Sequence, residues 1–226
     1  MNERIGVFGG TFNPIHLGHL HIAGEIRKIF SLSRVYFVVA TVPPHKGPED
    51  VIPFAHRYAM VVLATAGESS FVPSMVELEE PASAFSVDTM AKLGRGLGRR
   101  KTTLYFIAGG DSLSEVKTWR ESEKLLMSHS FIFASRPGTG PIDPAEALPG
   151  KASARVLDLA CLGRAAMRRV IEEESAARRI YVVNVGAPDI SATRIRRLAS
   201  QGRPIHRMVP PPVCEYIRKL HLYGGR

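Results

Sequence analysis

The chain has 226 residues, 45% of them hydrophobic and 23% charged, with 30 Lys and Arg against 21 Asp and Glu for a formal net charge of +9. That is globular composition at the length of one ordinary domain, which excludes a disordered or fibrous chain. Two cysteines, Cys161 and Cys214, are too few for a disulfide scaffold or a thiolate metal site, and no apolar run reaches the roughly 18 residues of a membrane span, so a soluble cytoplasmic protein is expected.

Short apolar runs at residues 5–8, 35–40, 75–78, 104–108, 131–134 and 180–183 are rich in β-branched and aromatic residues, the character of parallel strands buried on both faces. Between them, residues 16–30, 54–66, 87–97 and 112–127 carry the helical period. Two more helices begin near Ser191 and near Pro212, the latter with Pro211 and Pro212 in a first turn whose amides lack partners anyway. The alternation predicts an α/β fold: a Rossmann-like doubly wound parallel sheet with a C-terminal helical part. Residues 1–226 read as a single domain. Its rhythm breaks at about 138–179, where Pro- and Gly-rich turns give way to an Arg- and Ala-rich stretch, read as a surface insertion of turns and one short helix.

In an open parallel sheet the ligand sits beyond the carboxyl ends of the strands where strand order reverses, which for the order 3-2-1-4-5-6 lies between the first and fourth strands. The first strand runs into Gly9-Gly10-Thr11-Phe12-Asn13-Pro14-Ile15-His16-Leu17-Gly18-His19. Its glycines let the backbone turn and approach a phosphate, and the next helix offers unpaired amides to an anion. His16 and His19 project from one face of the first turn, with Gly18 leaving room for a ligand. Singly, either histidine could be a cap or a core residue, and the pair could touch a metal, although no third ligand lies nearby in sequence. The fourth strand runs into Gly109-Gly110-Asp111-Ser112, where Asp111 either meets a ribose hydroxyl pair or caps the following helix. A third element, Asp189-Ile190-Ser191-Ala192-Thr193-Arg194-Ile195-Arg196, sets hydroxyls and an arginine at a helix start. It is a second anion site or a capped basic surface helix.

Together the first and third motifs resemble the nucleotidylyltransferase superfamily and, within it, the bacterial nicotinate-nucleotide adenylyltransferases. Further pieces follow in that family's order: Pro43-Pro44-His45-Lys46, Phe85-Ser86-Val87-Asp88-Thr89, Gly110-Asp111-Ser112-Leu113, Trp119 and Arg136-Pro137-Gly138. The resemblance covers most of residues 4–137 and 180–223 and leaves the insertion unmatched. It implies transfer of AMP from ATP to nicotinate mononucleotide, giving nicotinate adenine dinucleotide and pyrophosphate, with Mg2+ bound to the ATP phosphates and no metal held by a protein cage. By the same resemblance His16, His19, Lys46 and Arg196 are expected to be catalytic. ATP is expected on Gly9, Gly10, Thr11, Phe12, His16, Gly18, His19, Gly109, Asp111, Ile190, Ser191, Thr193 and Arg196. Nicotinate mononucleotide is expected on His45, Lys46, Phe85, Ser86, Trp119, Arg120 and Arg136. Neither nucleic acid nor membrane is an implied partner, and a homo-oligomer is compatible with the pattern.

The chain departs from the family at Arg120, where many members carry an aromatic residue, at Phe85 and Ser86, where Tyr and Thr are frequent, and near Ala40 and Thr41, where Asn is. Arg120 is expected to add positive potential beside the pyridine carboxylate. The rival enzyme readings are adenylyltransferases for nicotinamide mononucleotide or pantetheine phosphate and cytidylyltransferases, which share the first histidine motif. A nucleic-acid-binding protein is suggested only by the charge. That excess lies wholly in residues 151–226, with fifteen basic and six acidic side chains, whereas residues 1–150 balance at fifteen of each. Arg164, Arg168, Arg169, Arg178 and Arg179 are expected to be solvated surface.

Overall fold

The computed structural model describes residues 3–42, 51–97, 102–135, 147–173 and 178–224. In chain order its elements are β1 (Glu3–Gly10), α1 (Leu17–Ile29), β2 (Arg34–Val39), α2 (Phe54–Thr65), β3 (Phe71–Ser74), α3 (Ser86–Gly96), β4 (Thr102–Gly109), α4 (Asp111–Glu115), α5 (Ser122–Ser128) and β5 (Ser130–Ser135). They continue with β6 (Val156–Asp158), α6 (Arg164–Glu173), β7 (Ile180–Asn184), α7 (Ala192–Ser200) and α8 (Pro211–Lys219). The seven strands form one parallel sheet in the order β3-β2-β1-β4-β5-β7-β6. Strand order thus reverses between β1 and β4, where Phe8 pairs with Phe37 on one side and Ile107 on the other. The expected crevice position follows from this topology.

Alternation along each strand feeds two cores. On one face Phe8, Phe37, Tyr105, Ile107 and Ile132 pack against Ile22 and Ile26 of α1, Met60 of α2 and Ile195 of α7. On the other face Val7, Val38, Phe106, Phe131 and Phe133 meet Met90 and Leu93 of α3 and Leu125 and Leu126 of α5. Because both faces are covered, the strands are apolar almost throughout, which is what made them visible in the sequence.

Three expectations are corrected. Residues 75–78 are not a strand: β3 lies earlier, and Val76–Leu78 form a 3-10 turn. Residues 112–127 are not one helix. The backbone passes through a 3-10 turn at Val116–Thr118, and Glu121, at φ 50, adopts the left-handed conformation before α5 begins. The insertion is more than turns and a helix, because it supplies β6 to the sheet edge and Met167 and Ile171 of α6 to the first core. It is also tied down by charge. Arg164 pairs with Glu25 of α1 at 2.5 Å, and Arg155 donates to the carbonyls of Leu126 and Arg178. Among the described residues no helix is long and apolar enough to cross a membrane.

Candidate functional site

A crevice of about 510 Å³ opens at the carboxyl ends of β1 and β4. Its volume is that of an ordinary small-molecule site. Gly9, Gly10, Thr11, Phe12, His16, His19, Gly109 and Asp111 line one part, and Phe85, Ser86, Trp119 and Arg120 line another. All twelve were expected from the sequence to touch ligand.

The histidine turn owes its shape to close packing. Phe12 sits at φ 46, in the left-handed region, with its ring buried edge-on to Phe8 and His19. A Cβ on Gly10 would stand 3.0 Å from that ring, and one on Gly9 would stand 3.0 Å from the ring of Phe106. His16 ends the non-helical approach to α1, and its amide donates to Nδ1 of His19 at 3.2 Å. In the neutral imidazole the remaining proton of His19 therefore lies on Nε2, which is left as a donor. The two rings stack at 3.6 Å between centroids, with His16 almost fully buried and His19 half-buried. Gly18 does not line the crevice. It lies beneath His16, where a Cβ would come within 3.0 Å of the ring.

At β4 the chain leaves through Gly110, whose amide donates to the Ala134 carbonyl at 2.7 Å. A Cβ there would stand 2.9 Å from the Ser135 backbone, so only glycine fits without moving β5. Gly110 is the residue before α4 and Asp111 is the first helical residue, so Asp111 is not the cap and faces the crevice instead. The break after α4 brings Trp119 to the crevice wall, edge-on to Phe106 at 5.7 Å. Arg120 lies with its guanidinium 4.8 Å from the centre of the Phe85 ring, a cation–π contact.

The start of α7 is built as expected, with Ser191 accepting from the Arg194 amide at 3.2 Å. Of this motif Ala192 lines the crevice, whereas Ile190 is buried and Thr193 exposed. Arg196 donates to the Asn13 carbonyl at 2.9 Å and to the Thr193 hydroxyl at 3.3 Å. It thereby ties α7 to the histidine turn. Tyr223 holds the same residue from the other side, its phenol donating to the Asn13 side-chain oxygen at 2.9 Å, and burial pushes the Tyr223 pKa up. His45, Lys46 and Arg136 lie outside the described residues.

Two buried charged groups beside the crevice were not anticipated. Arg57 of α2, 1% exposed, donates to the carbonyls of Thr11 at 2.9 Å, Ala40 at 2.6 Å, Ile52 at 3.0 Å and Thr41 at 3.3 Å. Desolvation pulls its pKa down, although a guanidinium stays charged. Glu77, 6% exposed, accepts from Thr41 and Thr89, and burial pushes its carboxyl above the usual range. Arg57 was detectable, since it shares the buried face of α2 with Met60 and Val61 at helical spacing. Glu77 carried no comparable signal. Among the described residues no three His, Cys, Asp or Glu side chains gather as a metal site would require.

Residues 7–198 match the model of the cytidylyltransferase-like family. The chain belongs to that family. This cytidylyltransferase-like protein is 40% identical over 221 residues to a Geobacter metallireducens chain named "Probable nicotinate-nucleotide adenylyltransferase", covering 97% of itself and 98% of the relative. A Pelobacter propionicus chain of the same name is 38% identical, with 98% of each covered. Within the cytidylyltransferase-like proteins the chain is thus a member of the nicotinate-nucleotide adenylyltransferases. The fold is shared with the Plasmodium falciparum nicotinic acid mononucleotide adenylyltransferase, solved in complex with NaAD, at a TM-score of 0.72, 19% identity and 98% coverage of each chain.

Proposed function

We propose that the protein transfers AMP from ATP to nicotinate mononucleotide, releasing pyrophosphate and forming nicotinate adenine dinucleotide. The observation that carries this is one crevice that joins a phosphate-suited histidine turn to a wall bearing Trp119, Phe85 and Arg120. Both the full-length relatives and the order of the motifs support it.

The reaction is displacement at the α-phosphorus. An oxygen of the mononucleotide 5′-phosphate forms the new bond, the bond to the β-phosphate oxygen breaks, and its electron pair leaves on pyrophosphate. The nucleophile is already anionic, so no general base is required. The work lies in bringing two anions into line and stabilising charge as it moves onto the leaving group. The Gly9-Gly10-Thr11 turn brings backbone close to the phosphates, and His19 offers Nε2–H to the oxygens around the α-phosphorus. His16 supports His19 by stacking and by its amide bond to Nδ1. Asp111, at the end of β4, suits a ribose hydroxyl pair. Trp119 and Phe85 offer ring faces to the pyridine. The crevice carries hydroxyls, imidazoles and the scattered carboxylates Glu77, Asp111 and Glu115 but no gathered set of three ligands among the described residues, so a Mg2+ ion would come with the nucleotide and would supply charge neutralisation for the leaving pyrophosphate.

Pyrophosphate release with ATP and a panel of nicotinate mononucleotide, nicotinamide mononucleotide and phosphopantetheine tests the assignment. The expected order places the nicotinate substrate first, and no release with any of the three overturns the enzyme reading. Arg120→Tyr is expected to lower the acid-over-amide ratio of kcat/KM by about three- to tenfold, the worth of roughly 1 kcal/mol for one partly exposed charge. An unchanged ratio removes Arg120 from the carboxylate's surroundings.

A further inference from the structure

We infer that Glu77 is a positioning residue that sets the spacing between the two walls of the crevice, holding the wall for the second substrate against the wall for the nucleotide. This rests on the substrate reading above. Glu77 lies in the 3-10 turn after β3, and its carboxylate oxygens reach two different segments: the end of β2, which the Ala40 amide ties to Gly10, and α3, which carries the Phe85–Ser86 side of the crevice. Oε2 accepts from the Thr41 amide at 2.9 Å and the Thr41 hydroxyl at 3.3 Å, at the end of β2. Oε1 accepts from the Thr89 hydroxyl at 3.2 Å, in the first turn of α3, three residues after Ser86. Its main-chain carbonyl also accepts from the Ser83 amide at 3.1 Å, in the loop that delivers Phe85.

A buried carboxylate is costly unless its oxygens are occupied by donors, and an apolar residue would fill the same space at less cost. Here Thr41 and Thr89, the donors to the side chain among the described residues, come from segments bordering the crevice, so the carboxylate acts as a strut between them. Thr41 and Thr89 do not have equal alternatives. The Thr41 side is held independently by Arg57, which takes the carbonyls of Thr11, Ala40 and Thr41, and by the Ala40 amide on the Gly10 carbonyl at 2.9 Å. On the α3 side Lys92 anchors the 3-10 turn through the carbonyls of Val76 and Glu79, whereas the hydrogen-bonded link from Thr89 to Thr41 runs through Glu77. Loss of the strut therefore lets the 3-10 turn and the Phe85–Ser86 wall, still joined to each other through Lys92 and the Ser83 amide, shift together against the end of β2, and leaves the nucleotide turn in place.

Glu77→Gln keeps the shape but loses the charge: its carbonyl oxygen can keep the Thr41 amide while the NH2 turns to Thr89, whose hydroxyl must then accept, so both links become neutral and weaker. Thr89→Val removes one hydroxyl at constant volume. In steady-state assays of the full chain, Glu77→Gln is expected to raise KM for nicotinate mononucleotide about tenfold and Thr89→Val about three- to fivefold, with KM for ATP within twofold of wild type. The double variant is expected to show less than the product of the two, because both cut one link. An unshifted mononucleotide KM in both variants overturns the inference. So does a parallel rise in both KM values together with a lower melting temperature, which marks general loosening. If Glu77→Gln does not fold, Thr89→Val carries the same split. Wild-type protein assayed alongside separates the two levels: absence of wild-type turnover overturns the substrate reading together with the role of Glu77, whereas normal wild-type turnover with unshifted KM overturns the role alone.

Discussion

His19→Asn is expected to lower the rate of pyrophosphate release about a hundred- to a thousandfold, the usual cost of removing one donor that meets charge in the transition state. Asparagine places an oxygen close to where Nδ1 stood, so the bond from the His16 amide, at 3.2 Å in the native turn, can be kept. What disappears is the distal donor. His19→Gln makes the reverse exchange, offering an N–H near the position of Nε2 while losing the acceptor for the His16 amide. It is expected to retain more activity than the asparagine variant and to lose more stability. Turnover of His19→Asn within twofold of wild type, with an unchanged far-ultraviolet spectrum, contradicts the role given to the ring.

Arg57→Met is expected to lower stability by about 3–5 kcal/mol, in the range found when a buried charge network loses a member. The side chains have similar length, but methionine donates nothing, and the carbonyls of Thr11, Ala40, Thr41 and Ile52 lose their common partner. Each buried carbonyl left without a donor costs about 1–3 kcal/mol, partly relieved where water can enter. For a chain of this size the melting temperature should fall by about 10 °C. Arg57→Lys should recover only part of the loss, because an ammonium is compact and cannot fan out to segments before α1, after β2 and before α2. A melting temperature within about 3 °C of wild type for Arg57→Met shows that these carbonyls find other donors.

The contrast between Arg57 and Glu77 marks how far the sequence could be read. Strands β1, β2, β4, β5 and β7 were visible because covered parallel strands must be apolar on both faces. Edge strand β3 was not, since its four residues are only half-buried and include Pro73, which an edge tolerates and a pattern search penalises. The neighbouring Val76 and Leu78 gave the stronger apolar signal and turned out to be a 3-10 turn. The histidine turn, Asp111 and the Phe85–Trp119 wall follow from local motifs that the topology brings together. The placement of the histidine turn and Asp111 needed only the switch point of the sheet. The break that exposes Trp119 needed the left-handed Glu121, an unfavourable conformation for a glutamate that no local pattern announces. The insertion was misjudged for a different reason. Its Arg and Ala content hid Met167 and Ile171, which reach the main core.

Two of the anchors on Asn13 come from far along the chain: Arg196 is 183 residues away and Tyr223 is 210. The histidine turn is thus locked by residues translated long after it. On a ribosome, strands β1, β2 and β4 can pair long before Tyr223 is made, so the sheet is able to form around a turn that still lacks both clamps. The order of synthesis, rather than the speed of either contact, sets the order of events, since the β1–β4 pairing already joins residues about a hundred apart. A nascent chain pairs its central strands first and braces its histidine turn only when α7 and the segment after α8 have been made.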